Sequence, residues 1–365
     1  GLSRSRFAGM RRNGTGKGFP LVGRMRILYV TNAYSASGAE EHLLELCSWL
    51  RGNGVDPVFL VREEGTFREK LGQHGFRFHT VNRRGARKLL SLFQTMAAIV
   101  REKPDVISVN REHDLLPTCV SAKLAIPLLG KSPRLAAVFH TPTTRWLPVL
   151  ACFDGIVATS NFTAGTFGPS NPSIAGRIRV IPYGIRLWQA DAAEKFRKDR
   201  ERRFFAGRTF PVIGMVGELW KNQEELLDAT PLIARAFPSV TVAIVGGGYP
   251  ERMEALRRKS RDLGLERNVL LTGRVDRGRI PDIFHDLDLS VSTHRNEGFG
   301  IVHIESLASL TPVVAYNAGG YVEMLREGGG VLVDGGTETF ADTVVNVLRD
   351  DGLRRRLAEE GRRIV

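Results

Sequence analysis

The chain has 365 residues, of which 42% are hydrophobic and 25% charged, an ordinary globular composition with length enough for two cores. No apolar run approaches the ~20 residues that span a bilayer, and Cys47, Cys119 and Cys152 show neither metal-ligand nor CxxC spacing, so an integral membrane protein, a zinc module and a disulfide scaffold are set aside. The net charge of +13 suggests nucleic acid until its location is considered, because Arg4, Arg6, Arg11, Arg12, Lys17 and Arg24 all fall in residues 1–24, where there is no acid. That segment is Gly-rich and aperiodic, and it is expected to be a disordered basic extension or expression remnant before a natural start at Met25. The excess of charge beyond it favours phosphates or an acidic membrane surface, and no nucleic-acid partner is expected. The cysteines read as reduced core thiols, which points to the cytoplasm.

From Met25 onward, short β-branched runs alternate with helical periods, the pattern of parallel sheets covered by helices. In the first half the expected strands are Arg26–Val30, Val55–Val61, Arg77–Val81, Asp105–Val109, Leu135–His140 and Gly155–Thr159. In the second they are Val212–Val216, Val240–Val245, Val269–Thr272, Leu287–Ser292, Val313–Ala315 and Val331–Val333. Between them, Leu187–Thr209 is dense in charge and poor in large aliphatics, so it reads as a solvated helix or linker. The fold class is therefore α/β, with two Rossmann-like domains, 25–184 and 185–365, facing across a cleft. Ligands of such sheets bind beyond the carboxyl ends of the strands.

The most informative stretch runs from Thr293 to Tyr316, THRNEGFGIVHIESLASLTPVVAY. A strand ends at Ser292, the turn Glu297, Gly298, Phe299, Gly300 follows, and a helix begins near Ile301. Free N–H groups and the positive helix end there suit a diphosphate, which glycine lets come close. Glu297 and Glu305, with seven residues between them, can both point toward such a ligand and accept hydrogen bonds from ribose and sugar hydroxyls.

Here a resemblance becomes specific: EGFGIVHIES followed by TPVVAYNAGG resembles the E-x7-E region of family 4 glycosyltransferases of the GT-B fold, and VGELWKNQEELLDA, VAIVGGGYP, VLLTGRV and NAGGYVEML follow the family's order over most of Met25–Val365. The resemblance implies a retaining transfer of a sugar from a UDP- or GDP-linked donor, with no metal and no further cofactor. It implies that Glu305 holds the ribose, that Glu297 sits by the transferred sugar, and that Lys221 holds the diphosphate, with the backbone of Gly298, Phe299, Gly300, Ile301 and Val302 alongside. Gly217 and Glu218 occupy the loop after the domain's first strand, and Gly273 and Arg274 the loop that reads the base. The family's usual Arg is replaced here by Glu218, on a shorter loop. A negative charge near a diphosphate weakens binding unless Arg295, Arg274 or Arg186 compensates. The resemblance also implies a last helix, returning to the first domain, beyond Val365.

On the acceptor side, Gly38 opens a helix after YVTNAYSAS and resembles the family's Gly-Gly-Ala-Glu element, with Ser37 in place of the first Gly. His140 ends a strand in AAVFHTP, where cleft residues belong, and is expected to bond a sugar hydroxyl; Ser160, Asn161, Tyr183 and Gly184 are similarly placed. Arg83, Arg84, Arg87 and Lys88 precede LLSLFQTMAAIV, which is either a core-facing helix with a solvated basic start or a surface for anionic membranes and lipid-linked acceptors. The acceptor class stays open between a glycan, a lipid-linked sugar and a small molecule, and the localisation is cytoplasmic or peripheral at the inner membrane face. Glu218 leaves room for a non-catalytic sugar-nucleotide-binding subunit, and the fold also serves epimerases and phosphorylases.

Overall fold

A computed structural model describes residues 25–82, 88–185, 187, 190–196 and 201–365. The basic extension 1–24, Arg83, Arg84, Arg87 and Arg186 lie outside these residues. In chain order the strands are β1 (Met25–Thr31), β2 (Val55–Arg62), β3 (Arg77–Val81), β4 (Val106–Val109), β5 (Arg134–Phe139), β6 (Gly155–Ala158), β7 (Ile178–Val180), β8 (Val212–Val216), β9 (Thr241–Val245), β10 (Val269–Gly273), β11 (Leu289–Ser292), β12 (Val313–Tyr316) and β13 (Gly330–Val333). The helices are α1 (Gly38–Gly52), α2 (Thr66–Gln73), α3 (Lys88–Glu102), α4 (Glu112–Leu129), α5 (Asn161–Phe167), α6 (Ala192–Lys195), α7 (Gln223–Ala236), α8 (Pro250–Asp262), α9 (Ile280–Asp286), α10 (Ile301–Ala308), α11 (Val322–Leu325), α12 (Thr337–Arg349) and α13 (Asp351–Ile364). All twelve expected strands form, within two residues at each end. The three-residue β7 was not anticipated; so short an edge strand has no period to read.

The strands form two sheets, ordered β3-β2-β1-β4-β5-β6-β7 and β10-β9-β8-β11-β12-β13, and every pairing between them is parallel. Because both faces are covered by helices, the inner strands are apolar throughout: Val58, Phe59 and Leu60 of β2 and Val242, Ala243 and Ile244 of β9 are all fully buried. In each sheet the order reverses beside the first strand, between β1 and β4 and between β8 and β11, and such a reversal opens a crevice at the strands' carboxyl ends.

The described residues of the charged segment 187–209 depart from the solvated helix or linker that its composition suggests. Lys195 is buried and its ammonium donates to the carbonyls of Phe284 and His285, both at 2.7 Å, and to Thr311 Oγ1 at 2.8 Å. Arg202 meets Asp288 at 2.8 Å, and Asp286 accepts the backbone N–H groups of Arg203, Phe204 and Phe205. The last carbonyls of α9 have no partners within the helix, and this strap supplies the donors. Cys47 and Cys119 are core thiols as expected, whereas Cys152 is exposed.

The two sheets are fastened across the crevice at the Gly298 turn. Ser160 Oγ and Thr163 Oγ1 donate to the Gly298 carbonyl at 2.5 and 3.2 Å. The Glu323 carboxylate accepts from Asn161 N at 3.1 Å, Asn161 Nδ2 at 2.6 Å and Phe162 N at 2.7 Å, so an acid from the second half satisfies open donors at the start of α5 in the first.

Candidate active site

The turn between β11 and α10 is shaped by glycine. Gly300 has φ +86° at the helix N-cap, in the left-handed region that disfavours side chains, and a Cβ at Gly298 would run into the His140 carbonyl. No side chain caps α10, so its first-turn N–H groups, at Ile301 and Val302, stand at the positive end of the helix. Phe299 lies edge-on to Tyr183, with ring centroids 5.3 Å apart.

Lys221 reaches this turn from the other side of the β8 crevice, donating to Glu297 Oε2 at 2.5 Å. A Cβ on Gly217 (φ +153°) would lie 3.2 Å from Lys221 Cδ, so the bare backbone there leaves room for the lysine stem. Burial pushes the Glu297 carboxyl upward, but the charge and hydrogen bond of Lys221 outweigh it and hold the acid below its ordinary range. Glu297 is therefore an anion paired with a cation inside the crevice.

Glu305 is wholly buried one turn along α10, facing Arg277 from the turn after β10, and the same guanidinium lies 3.8 Å from Glu45 on α1. Burial raises the Glu305 carboxyl despite Arg277, while the carboxylates around Arg277 hold that guanidinium more firmly protonated. Among the described residues, Glu305 Oε2 has no hydrogen-bond partner, an exception to the rule that buried polar atoms are paired.

Glu218, the departure from the family pattern, is part-exposed and lies against an arginine. Its Oε1 lies 3.3 Å from Arg274 Nη2. Arg274 packs on bare backbone, where a Cβ at Gly247 would come 3.0 Å from its Nε. Arg295 is instead held by Glu225 in a two-pronged contact at 2.6 and 2.8 Å and lies over the Tyr316 ring at 3.6 Å. Of the three arginines expected to compensate, Arg274 lies beside the Glu218 carboxylate, Arg295 is committed elsewhere, and Arg186 is outside the described residues. Gly273 (φ +71°) accepts from Gly246 N at 3.1 Å and turns the chain toward Arg274.

Across the crevice, His140 Nδ1 contacts the Tyr183 hydroxyl, and its Nε2 lies 3.3 Å from Asn110 Oδ1. Burial pushes the imidazole down to about 4, so it is neutral at physiological pH. Gly38 begins α1, and a Cβ there would touch Ile301 at 3.8 Å. Two residues on, buried Glu40 pairs with Arg111 at 2.5 Å. Arg111, Asn110 and Arg277 were not singled out from sequence. The signal for the first two was their place just after the β4 strand in VNREH; Arg277 follows VLLTGRV by only two residues.

Residues 36–189 match the profile of Glycosyltransferase Family 4 and residues 197–364 that of Glycosyl transferases group 1. The chain belongs to the family 4 glycosyltransferases. It is 29% identical over 278 residues to a phosphatidyl-myo-inositol mannosyltransferase of Mycobacterium leprae, covering 69% of each chain. Against a GDP-mannose-dependent alpha-(1-6)-phosphatidylinositol monomannoside mannosyltransferase of Mycobacterium tuberculosis the identity is 28%, over 66% of this chain and 68% of that one. In fold it is similar to Anabaena Alr3699/HepE, solved with UDP-glucose, at a TM-score of 0.76 and 22% identity, with 93% and 94% of the chains covered. Sucrose-phosphate synthase from Thermosynechococcus elongatus gives 0.73 and 19%, over 93% and 94%. The family 4 enzyme is thus a glycosyltransferase with the GT-B fold, as its E-x7-E region implied.

Proposed function

We propose that this glycosyltransferase moves a hexose, with retention at the anomeric carbon, from a nucleoside diphosphate sugar to a hydroxyl of a lipid headgroup. The first half, to about Gly184, is the acceptor domain and the second the donor domain. The observation that carries this reading is the Lys221–Glu297 ion pair beside the uncapped start of α10, with the buried carboxylate of Glu305 one turn further on. Glu305 accepts the ribose hydroxyls and Glu297 a hydroxyl of the transferred sugar. Lys221 and the N–H groups of Ile301 and Val302 stabilise charge as the diphosphate leaves. Gly298, Phe299 and Gly300 form the wall between donor and acceptor, Gly217 and Glu218 the floor under the phosphates, and Gly273 with Arg274 the edge of the base. His140, neutral, accepts or donates at a sugar hydroxyl, and Gly38 brings α1 close to the reacting sugar. The acceptor's proton passes to the leaving phosphate, so neither glutamate serves as nucleophile. GDP-mannose is the favoured donor, because the name of the Mycobacterium tuberculosis relative specifies it and the Mycobacterium leprae relative is also a mannosyltransferase.

The first half also presents a surface suited to a lipid interface. Ser91, Thr95, Ala98 and Ile99 of α3 face inward, but Leu89, Leu90 and Phe93 are more than half exposed. In sequence they directly follow the basic run Arg83, Arg84, Arg87, Lys88, a composition that an anionic bilayer attracts. Among the described residues no helix is long and apolar enough to cross a membrane. Incubating the protein with radiolabelled GDP-mannose or UDP-glucose and vesicles containing phosphatidylinositol tests the reading. Labelled lipid from GDP-mannose, with an α-linkage by NMR, is expected; an inverted linkage, or transfer only to soluble glycans, would contradict it.

A further inference from the structure

Beside the crevice, the first half carries a groove of about 770 Å³ between one face of α4 and the segment from Arg145 to Cys152. Leu116, Pro117 and Val120 form one wall and Leu147, Pro148 and Val149 the other. Its upper end is polar: Asn32 at the end of β1, and Glu112 and His113 at the start of α4. These adjoin Asn110 and Arg111, the residues that contact His140 and Glu40 in the crevice. The groove follows α4 from Glu112 to Lys123, about 16 Å at ~1.5 Å per residue. Lys123 and Arg145 line it as well, and both are exposed cations, Arg145 lying 3.5 Å from Glu112.

Past the groove, the apolar stripe continues on the outside of α4. Leu124 and Leu128 are exposed by 53% and 63%, and Trp146 by 72%. A soluble glycan has no use for such a channel, since burying its hydroxyls among leucine, valine and proline forfeits their hydrogen bonds to water. A hydrocarbon chain gains there, by about 0.8 kcal/mol for each CH₂ taken out of water.

We propose that this groove seats one hydrocarbon chain of the lipid acceptor, with Arg145, beside Glu112 at the polar end, meeting the headgroup phosphate. Asn32 marks the end toward the reacting hydroxyl, and its buried Oδ1, which has no hydrogen-bond partner among the described residues, accepts one from the headgroup. The proposal rests on the lipid-acceptor reading above. It adds that the lipid is drawn partly out of the bilayer, instead of being met at the membrane surface.

The groove is blocked from opposite walls by Val120→Trp and Leu147→Trp. Both residues are partly exposed, so each variant is expected to keep its fold, checked by an unchanged nucleotide-induced thermal shift. For each, the KM for phosphatidylinositol in phosphatidylcholine vesicles should rise at least tenfold. Turnover of chain-free glycerophosphoinositol and cosedimentation with vesicles should stay at native values. Native protein irradiated with phosphatidylinositol bearing a diazirine in its acyl chain should be labelled within residues 112–123 and 145–152. Native KM in both variants, or labelling confined to Leu89–Phe93, would overturn the groove while leaving the lipid acceptor intact. Native protein that glycosylates no lipid and takes no label would overturn the acceptor reading and the groove with it.

Discussion

At the scale of single residues, the chemistry depends on how charge is held in a crevice sheltered from water. Lys221 and Glu297 are each only 16% exposed in their side chains, so truncating one leaves the other's charge uncompensated. Glu297→Gln is expected to lower kcat by about a hundredfold with nucleotide binding intact, since Glu305 and the helix start are untouched; steady-state kinetics beside a binding titration checks this. Lys221→Met should instead weaken binding of the diphosphate. His303, buried against Tyr321, has its imidazole pushed down to about 4 by burial. The unfolded chain takes up that proton at about 6.5, before the folded one does. Stability is therefore full above that pH and falls as the pH drops toward 4, by on the order of 3 kcal/mol from this group. Urea titrations from pH 7 to pH 4.5 should show a shallower loss in His303→Gln.

At the scale of elements, the decisive object is the turn that connects β11 to α10. Gly298 sits where the second half touches the His140 carbonyl, and Gly320 packs on the Gly298 carbonyl in turn. A methyl group at Gly298 must push the halves apart, so Gly298→Ala should reduce kcat/KM by tenfold or more, with a melting temperature lowered by only a few degrees. A large stability loss with unchanged kcat/KM would deny that role. This turn was legible in the sequence because glycine, glutamate and helix period all fall within one short window. The strap over α9 was not: Lys195 and Arg202 read as solvated by type, and only the unpaired carbonyls of a helix distant in sequence explain their burial. Arg277 escaped for the same reason, since its partners Glu305 and Glu45 come from different helices.

For the whole molecule, the question is what keeps two separately cored halves in register. The Glu323 carboxylate at the start of α5 and the Gly298 carbonyl under Ser160 are direct fasteners, and Arg277 reaches both Glu305 and Glu45. Glu323→Ala removes three hydrogen bonds across the crevice, so its radius of gyration by small-angle scattering should exceed the native value, and the gap should narrow when nucleotide is added. Two facing parallel sheets follow from the alternation of strand and helix periods alone. How they are fastened depends on contacts more than a hundred residues apart in sequence, such as Ser160 with Gly298, and no local pattern records them. The contact of Glu218 with Arg274, fifty-six residues on, is likewise absent from any local pattern.

The central claim is that the nucleotide of a sugar donor binds at the start of α10 with its ribose on Glu305. Calorimetric titration of GDP and UDP into the native protein and into Glu305→Ala tests it most directly. Saturable binding of one nucleotide to the native protein is expected, with a loss of at least tenfold in affinity in the variant and the fold retained by circular dichroism; equal affinity in both proteins would contradict a ribose seat on Glu305.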